Sequence, residues 1–197
     1  MTDPTTPQPA TSTRHPPVEV RFREALTGDV ADVVALVESA YRGEDSRLGW
    51  TTEADLLEGQ RTDAEGISAM VESLDAVLLL AVLDGGIGGG IVGCCELRRM
   101  RDCAYFGTFA VNPRRQGGGV GRRLLTYADA EAVRRWGSTA VQLTVIAQRG
   151  DLIAWYERLG FVRTGERRPF PYGEERFGLP LRDDLEFVVL SRPTGTG

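Results

Sequence analysis

"VNPRRQGGGVGRRLL", residues 111–125, sets Gly117, Gly118, Gly119 and Gly121 between an apolar run and a helical pattern. Glycine is the costliest residue to order and a poor one in a helix interior. Upstream, "CAYFGTFAV" (103–111) reads as a strand. Downstream, Val120, Leu124, Leu125, Ala128 and Ala132 recur at helical spacing. A strand therefore runs through a glycine turn into a helix. The first turn of a helix carries unpaired N–H groups and the positive end of its dipole. Glycines without a Cβ let an anion come close, so the stretch reads as a phosphate cradle. Arg114, Arg115, Arg122 and Arg123 flank it with charge for further phosphates. The competing reading is a flexible turn with solvated arginines.

Two familiar phosphate-binding patterns fail here. In G-x-G-x-x-G spacing, Gly117 and Gly119 are followed by Arg122 where a small residue should stand. A P-loop needs a lysine, and all 23 basic residues are arginine. The same absence excludes Schiff-base chemistry. The one histidine, His15, lies in a Pro/Thr-rich stretch, which argues against a His-based triad, base or metal site. Cys94, Cys95 and Cys103 lack metal-ligand spacing and read as buried strand thiols in a reducing compartment, so the expectation is cytoplasmic, with no metal. A net charge of -5 argues against nucleic acid as a partner. No run is apolar for the ~18 residues of a membrane span, and no secretion signal opens the chain.

Working outward, residues 1–17 have little to bury and read as a disordered tail; residues 194–197 read likewise. Residues 18–193 form one domain. "VEVRFREA" (18–25) alternates as a strand. Val30, Val33, Val34, Val37 and Tyr41 share one helix face. "TTEADLLEGQ" (51–60) opens with a threonine cap and predicts a short helix, "DAEGISAMVES" another. "AVLLLAVLDGG" and "GIVGCCELRRM" predict a hairpin, "AVQLTVIAQ" (140–148) a strand, and "DLIAWYERLG" a helix closed by Gly160. "FVRTGERRPF" and "LEFVVLSR" are the last strands. The order β-α-α-β-β-β-α-β-α-β-β implies an α/β (α+β) fold, a mixed twisted sheet of about seven strands with helices on both faces.

The run Gln116-Gly117-Gly118-Gly119-Val120-Gly121 fits the [Arg/Gln]-x-x-Gly-x-[Gly/Ala] signature of the GCN5-related N-acetyltransferases, or GNAT family. "LIAWYERLGF" (152–161) resembles the family's second helix, and the element order agrees. The resemblance implies that acetyl-CoA is the co-substrate. Gln116 to Gly121 would hold its pyrophosphate on backbone N–H groups, and one of Arg114, Arg115 or Arg122 would meet the 3′-phosphate. Phe109, Ala110 and Val111 would offer main-chain groups to the pantetheine arm, which enters where this strand splays from its neighbour. An N–H near Ala110 would stabilise the oxyanion. Tyr156 would protonate the departing thiolate.

Two positions depart from the family pattern. Arg149 stands near a place where relatives often carry Asn on the coenzyme side, and "AYFGTFAV" lacks the Glu that many use as general base. Glu96 and Glu53 are the candidates for that base, each against the reading of a solvated surface carboxylate. The loop "FPYGEERFGLPLRDD" (170–184) offers Tyr172, Glu174 and Glu175 as an acceptor wall, with Glu44, Asp45, Trp50 and Glu53 opposite. Carboxylates with aromatic faces suit an organic cation. The expected function is acetyl transfer to a primary amine of a small cationic or aromatic molecule or a peptide, without membrane contact; a homodimer is compatible with the family. The alternatives are a silent acyl-CoA sensor of the same fold, and a transferase of longer acyl chains.

Overall fold

In the computed structural model, residues 19–49, 51–84, 90–174 and 178–195 are described. The tail expected at 1–17, together with Trp50 and Glu175, lies outside them. Strand β1 is Val20–Glu24, and a 3-10 turn at Thr27–Asp29 leads into helix α1, Val30–Tyr41. A short helix α2 covers Gly43–Ser46, a two-residue strand β2 covers Leu57–Glu58, and helix α3 is Ala64–Glu72. Strands β3 (Ala76–Leu83), β4 (Gly90–Arg99) and β5 (Ala104–Val111) follow. Helix α4, Val120–Trp136, strand β6, Ala140–Ile146, and helix α5, Gly150–Arg158, come next. Strands β7 (Val162–Pro169), β8 (Leu179–Pro180) and β9 (Glu186–Pro193) complete the chain.

The seven-stranded sheet runs β1-β3-β4-β5-β6-β9-β7, and β2 pairs with β8 apart from it. Every pairing in the large sheet is antiparallel except β5 with β6. Its core has two layers because strand side chains alternate between faces. Leu79, Ala81 and Leu97 join Leu124, Leu125, Ala128 and Ile153 beneath α4 and α5. Leu78, Leu80 and Cys94 turn the other way, to Val33, Val37 and Ile67 of α1 and α3. The spacing expected for α4 is borne out: Val120, Leu124, Leu125, Ala128 and Ala132 are all buried.

One expected helix is absent. Residues 51–60 do not form a helix. Thr51 spends its hydroxyl on the Ala40 carbonyl (3.1 Å), and the Glu53 N–H bonds back to Tyr41 O (3.2 Å). The chain then makes a single turn at Glu53–Leu57 and pairs as β2. Tertiary partners for the backbone override a weak local propensity. At the other end, hydrogen bonds reach Thr194 and Gly195, beyond β9. Thr194 bonds Thr139 O and Ser138 O, and the Gly195 N–H reaches Asp129 Oδ2 (3.0 Å). Asp129 in turn pairs with buried Arg192 at 3.4 Å, fastening the end of β9 to α4.

Cys94 and Cys95 are buried in β4, and burial pushes the Cys94 thiol up to about 12 and the Cys95 thiol also upward. Thiolate is the reactive form. Ellman's reagent at about pH 8 is expected to leave both untouched in the native chain and to label them after guanidinium unfolding; rapid native labelling of either would contradict this packing.

Candidate active site

Strand β5 carries a bulge. Its register with β4 shifts between Cys94↔Ala110 and Glu96↔Gly107, so β5 holds one residue more than its partner there. Thr108 lies in the bulge at φ +43, a conformation uncommon for a non-glycine residue. The extra residue breaks the alternation, so that Phe106 and Phe109 both face α4 and α5. Beyond the bulge β5 also leaves β6. The two pair only at Ala104↔Val141 and Tyr105↔Gln142. The expected splay is therefore present, with a slot opening between residues 106–111 and the end of β6.

The slot is edged by main-chain groups. Tyr41 of α1 donates its hydroxyl to the Phe109 carbonyl, and Gln116 Nε2 donates to the Val111 carbonyl at 3.0 Å. On the other edge the Asn112 N–H bonds Val92 O (2.9 Å). Antiparallel bonding alternates, so the Ala110 amide belongs to the β4 ladder opposite Cys94, and the amides turned to the slot are those of Phe109 and Val111. The donor expected near Ala110 would then be the N–H of Phe109 or Val111.

Below the slot lies the glycine turn. Gly117 has φ +83 and Gly119, the N-cap of α4, has φ +79; the space where a Cβ would stand is open at both. The 17-residue helix α4 starts there, so the turn fits an anion on its N–H groups. Gly121 has a different reason: a Cβ there would meet the Phe109 ring at 3.0 Å. Arg115 and Arg122 are exposed. Arg114 is exposed and 3.6 Å from Asp45, and Arg123 is tied to Val20 O and the Phe22 ring. The Gln116 side chain does not join the cradle. It turns inward to Val111 O and Thr51 Oγ1 (3.0 Å).

A cavity of about 980 Å³ opens from the slot between α3, β4, β5, β6 and the end of β7. It brings together Tyr156, Glu96, Glu53 and Phe109 from the expected residues, and adds Tyr41 and Arg149. Tyr156 is buried, edge-on to Phe161 and Trp155. Burial, with Tyr41 nearby, raises its hydroxyl well above the ordinary phenol range, so it stays protonated at neutral pH.

Neither Glu96 nor Glu53 is a solvated surface carboxylate, which overturns the bland reading of both. Glu96 is 2% exposed, with Oε1 held by Arg98 Nε (2.9 Å) and Nη2 (2.5 Å). Among the described residues its Oε2 has one long contact, 3.4 Å from the Thr108 hydroxyl. Glu53 is buried beside Arg42 (3.0 Å), with Arg61 3.8 Å away. Two carboxylates can be buried here because guanidinium partners come with them. The pairings join residues two to eleven apart across strands and turns, which leaves no periodic signal.

Of the described residues in the loop after β7, the expected acceptor residues Tyr172 and Glu174 stand apart from this cavity. Tyr172 is half exposed and holds its own loop, donating to Arg182 O (3.2 Å) and accepting from the Leu185 N–H (2.6 Å). Tyr172 and Glu174 do not line the cavity; Pro169 and Pro171 do. Glu44 and Asp45 are exposed outside it, paired with Arg47 and Arg114. Short charge pairs within the loops satisfy these residues locally. Acid on the cavity wall comes from Glu53, Asp63, Glu65 and Glu96 instead, and it faces Arg61, Arg98, Arg149 and Arg168.

The model of the acetyltransferase (GNAT) family matches residues 39–161. Among curated proteins no sequence matches. The fold is similar to the ribosomal-protein-S18-alanine N-acetyltransferase of Escherichia coli, at 19% identity and a TM-score of 0.60, over 91% of this chain and 96% of that one. It is also similar to spermidine N-acetyltransferase from Vibrio cholerae, crystallised with CoA and spermine, at 14% identity and a TM-score of 0.64, over 89% and 95%. The match to the family model covers more than half of the chain, and the chain belongs to the acetyltransferase (GNAT) family.

Proposed function

We propose that this chain is an acetyl-CoA-dependent N-acetyltransferase that acts on a primary amine of a small cationic or aromatic molecule. The observation that carries the reading is the open glycine cradle at the start of α4, which follows the splayed strand in the chain, together with a cavity beside the splay that has buried Glu96 and protonated Tyr156 on its walls. The N–H groups of residues 117–121 would hold the pyrophosphate, and the Phe109 and Val111 main chain the pantetheine arm. The co-substrate supplies an acetyl thioester, whose acyl carbon the amine attacks and whose thiol leaves. The Phe109 carbonyl, which accepts from Tyr41, has a second lone pair to offer the arm.

The amine must lose its proton before it attacks. Glu96 Oε2, with one long contact, is the oxygen on this wall best able to accept it, while Arg98 keeps Oε1 in place. Glu96→Gln is expected to lower kcat/KM for the amine by about tenfold, because water can still carry the proton, and to leave acetyl-CoA affinity alone. Unchanged amine kinetics would remove Glu96 from the reaction.

Support for a cationic or aromatic acceptor now comes from the Tyr41, Tyr105 and Phe187 rings of the cavity, not from net charge, since its four carboxylates stand against four arginines, nor from the loop after β7. A panel of spermidine, tyramine, L-lysine and an alanine-initiated peptide, followed by thiol release from acetyl-CoA, tests the reading. Turnover of the first two above the peptide supports it; no release with any, despite coenzyme binding, would favour a silent binding domain.

A further inference from the structure

Two side chains from opposite ends of the site grip one short segment. Gln116 leaves the glycine turn and donates to Thr51 Oγ1 (3.0 Å). A Cβ at Gly49 would stand 2.8 Å from Gln116 Oε1, so the backbone passes close against that amide. From the start of α5, Arg149 Nη1 donates to both Thr51 O (3.1 Å) and Thr52 O (2.9 Å). Its Nε and Nη2 are fixed by the two oxygens of Asp151, each at 3.0 Å. Arg149 is 7% exposed and lines the cavity. The next residue is Glu53. Its N–H bonds Tyr41 O, and its carboxylate lies on the cavity wall against Arg42 and Arg61.

We propose that Arg149 is a positioning residue: by clamping the Thr51 and Thr52 carbonyls it fixes the segment 51–53 as a strap between the glycine turn and the cavity wall, and so sets where Glu53 meets the acceptor. The inference rests on the reading of this cavity as the acceptor site. A guanidinium can do this because its planar fork offers several donors at fixed angles, two outward to the carbonyls and two back to a carboxylate. An amide side chain at position 149 is too short to span both. Segment 51–53 lies outside helix and sheet, so beyond the Glu53 N–H to Tyr41 O and the Thr51 hydroxyl to Ala40 O its place depends on such side-chain clamps.

Three variants test the proposal. In Arg149→Met, amide hydrogen exchange at Glu53, Leu56 and Leu57 is expected to speed by about tenfold or more relative to the core strands. KM for the best amine of the panel above is expected to rise about tenfold, with KM for acetyl-CoA changed by no more than about twofold. Arg149→Lys should recover part of both effects, as a single donor reaching one carbonyl. Asp151→Asn, at an exposed carboxylate, loosens the guanidinium from outside and gives a milder form of the same pattern if Arg149→Met does not fold. Unchanged exchange at the three amides would overturn the clamp. Equal rises in both KM values would overturn its acceptor-side role. If no panel amine releases thiol from the wild type, the acetyltransferase reading fails, and the exchange measurement still decides whether Arg149 holds the strap.

Discussion

Gly119→Glu is expected to abolish acetyl-CoA binding while leaving the chain folded. Gly119 caps α4 with φ +79, and nothing lies within 4 Å of the place its Cβ would take. The substitution therefore costs strain without a clash, on the order of 1–2 kcal/mol for a side chain in the left-handed region. That is a tolerable fraction of a domain's stability. The new carboxylate stands over the first N–H groups of α4, where the pyrophosphate would lie. One negative charge at about 4 Å from another costs on the order of 4 kcal/mol near a protein surface, or roughly 10³-fold in affinity. Gly119→Asn separates charge from backbone strain, since Asn accepts the left-handed conformation at little cost. It should retain most of the affinity. Calorimetry with acetyl-CoA on both variants decides the matter. A Glu variant that binds like the wild type would put the phosphates somewhere other than this turn.

The glycine turn was legible because its chemistry is written in consecutive residues. So were the two faces of the sheet: the run Leu78-Leu79-Leu80-Ala81 is apolar throughout, as a strand buried on both sides should be, and the helices that cover it show their own period. The acceptor side was not legible. Glu53 and Glu96 look like any surface carboxylate in a sequence, and only the approach of Arg42 and Arg98 makes their burial affordable. Gly107, a lone glycine inside the strand pattern, was the one sign of the bulge at Thr108, which decides which amides face the slot. Arg149 stood out only as a departure from a family pattern, and its partners are carbonyls nearly a hundred residues earlier. The loop after β7 stood out for the opposite reason. Its density of charge and aromatic rings reflects contacts it makes with itself, Arg182 with Asp184 and Tyr172 with Leu185.

Tyr156→Phe is expected to lower kcat by about 10², the low end of general acid catalysis, with acetyl-CoA affinity close to wild type. The ring is packed against Trp155, Phe161 and Phe109, and Phe keeps all of that packing. A lost hydroxyl is then the one change. What it removes is a proton donor: burial holds the phenol protonated far above neutral pH, so wild-type kcat should show no alkaline fall from this group below about pH 10, its ordinary value. The sign follows from the direction of the shift. A raised phenol keeps its proton through the range where a free tyrosine begins to lose it, so the acid form persists as pH rises. A thiolate is a stable leaving group, which keeps the expected loss modest and makes it depend on the leaving group. An acetyl donor with a more acidic thiol should narrow the gap between the variant and the wild type, because it needs protonation less. A drop in kcat that is the same for both donors, or one matched by lost melting temperature and lost coenzyme affinity, would make Tyr156 a packing residue of the core and leave the proton to water.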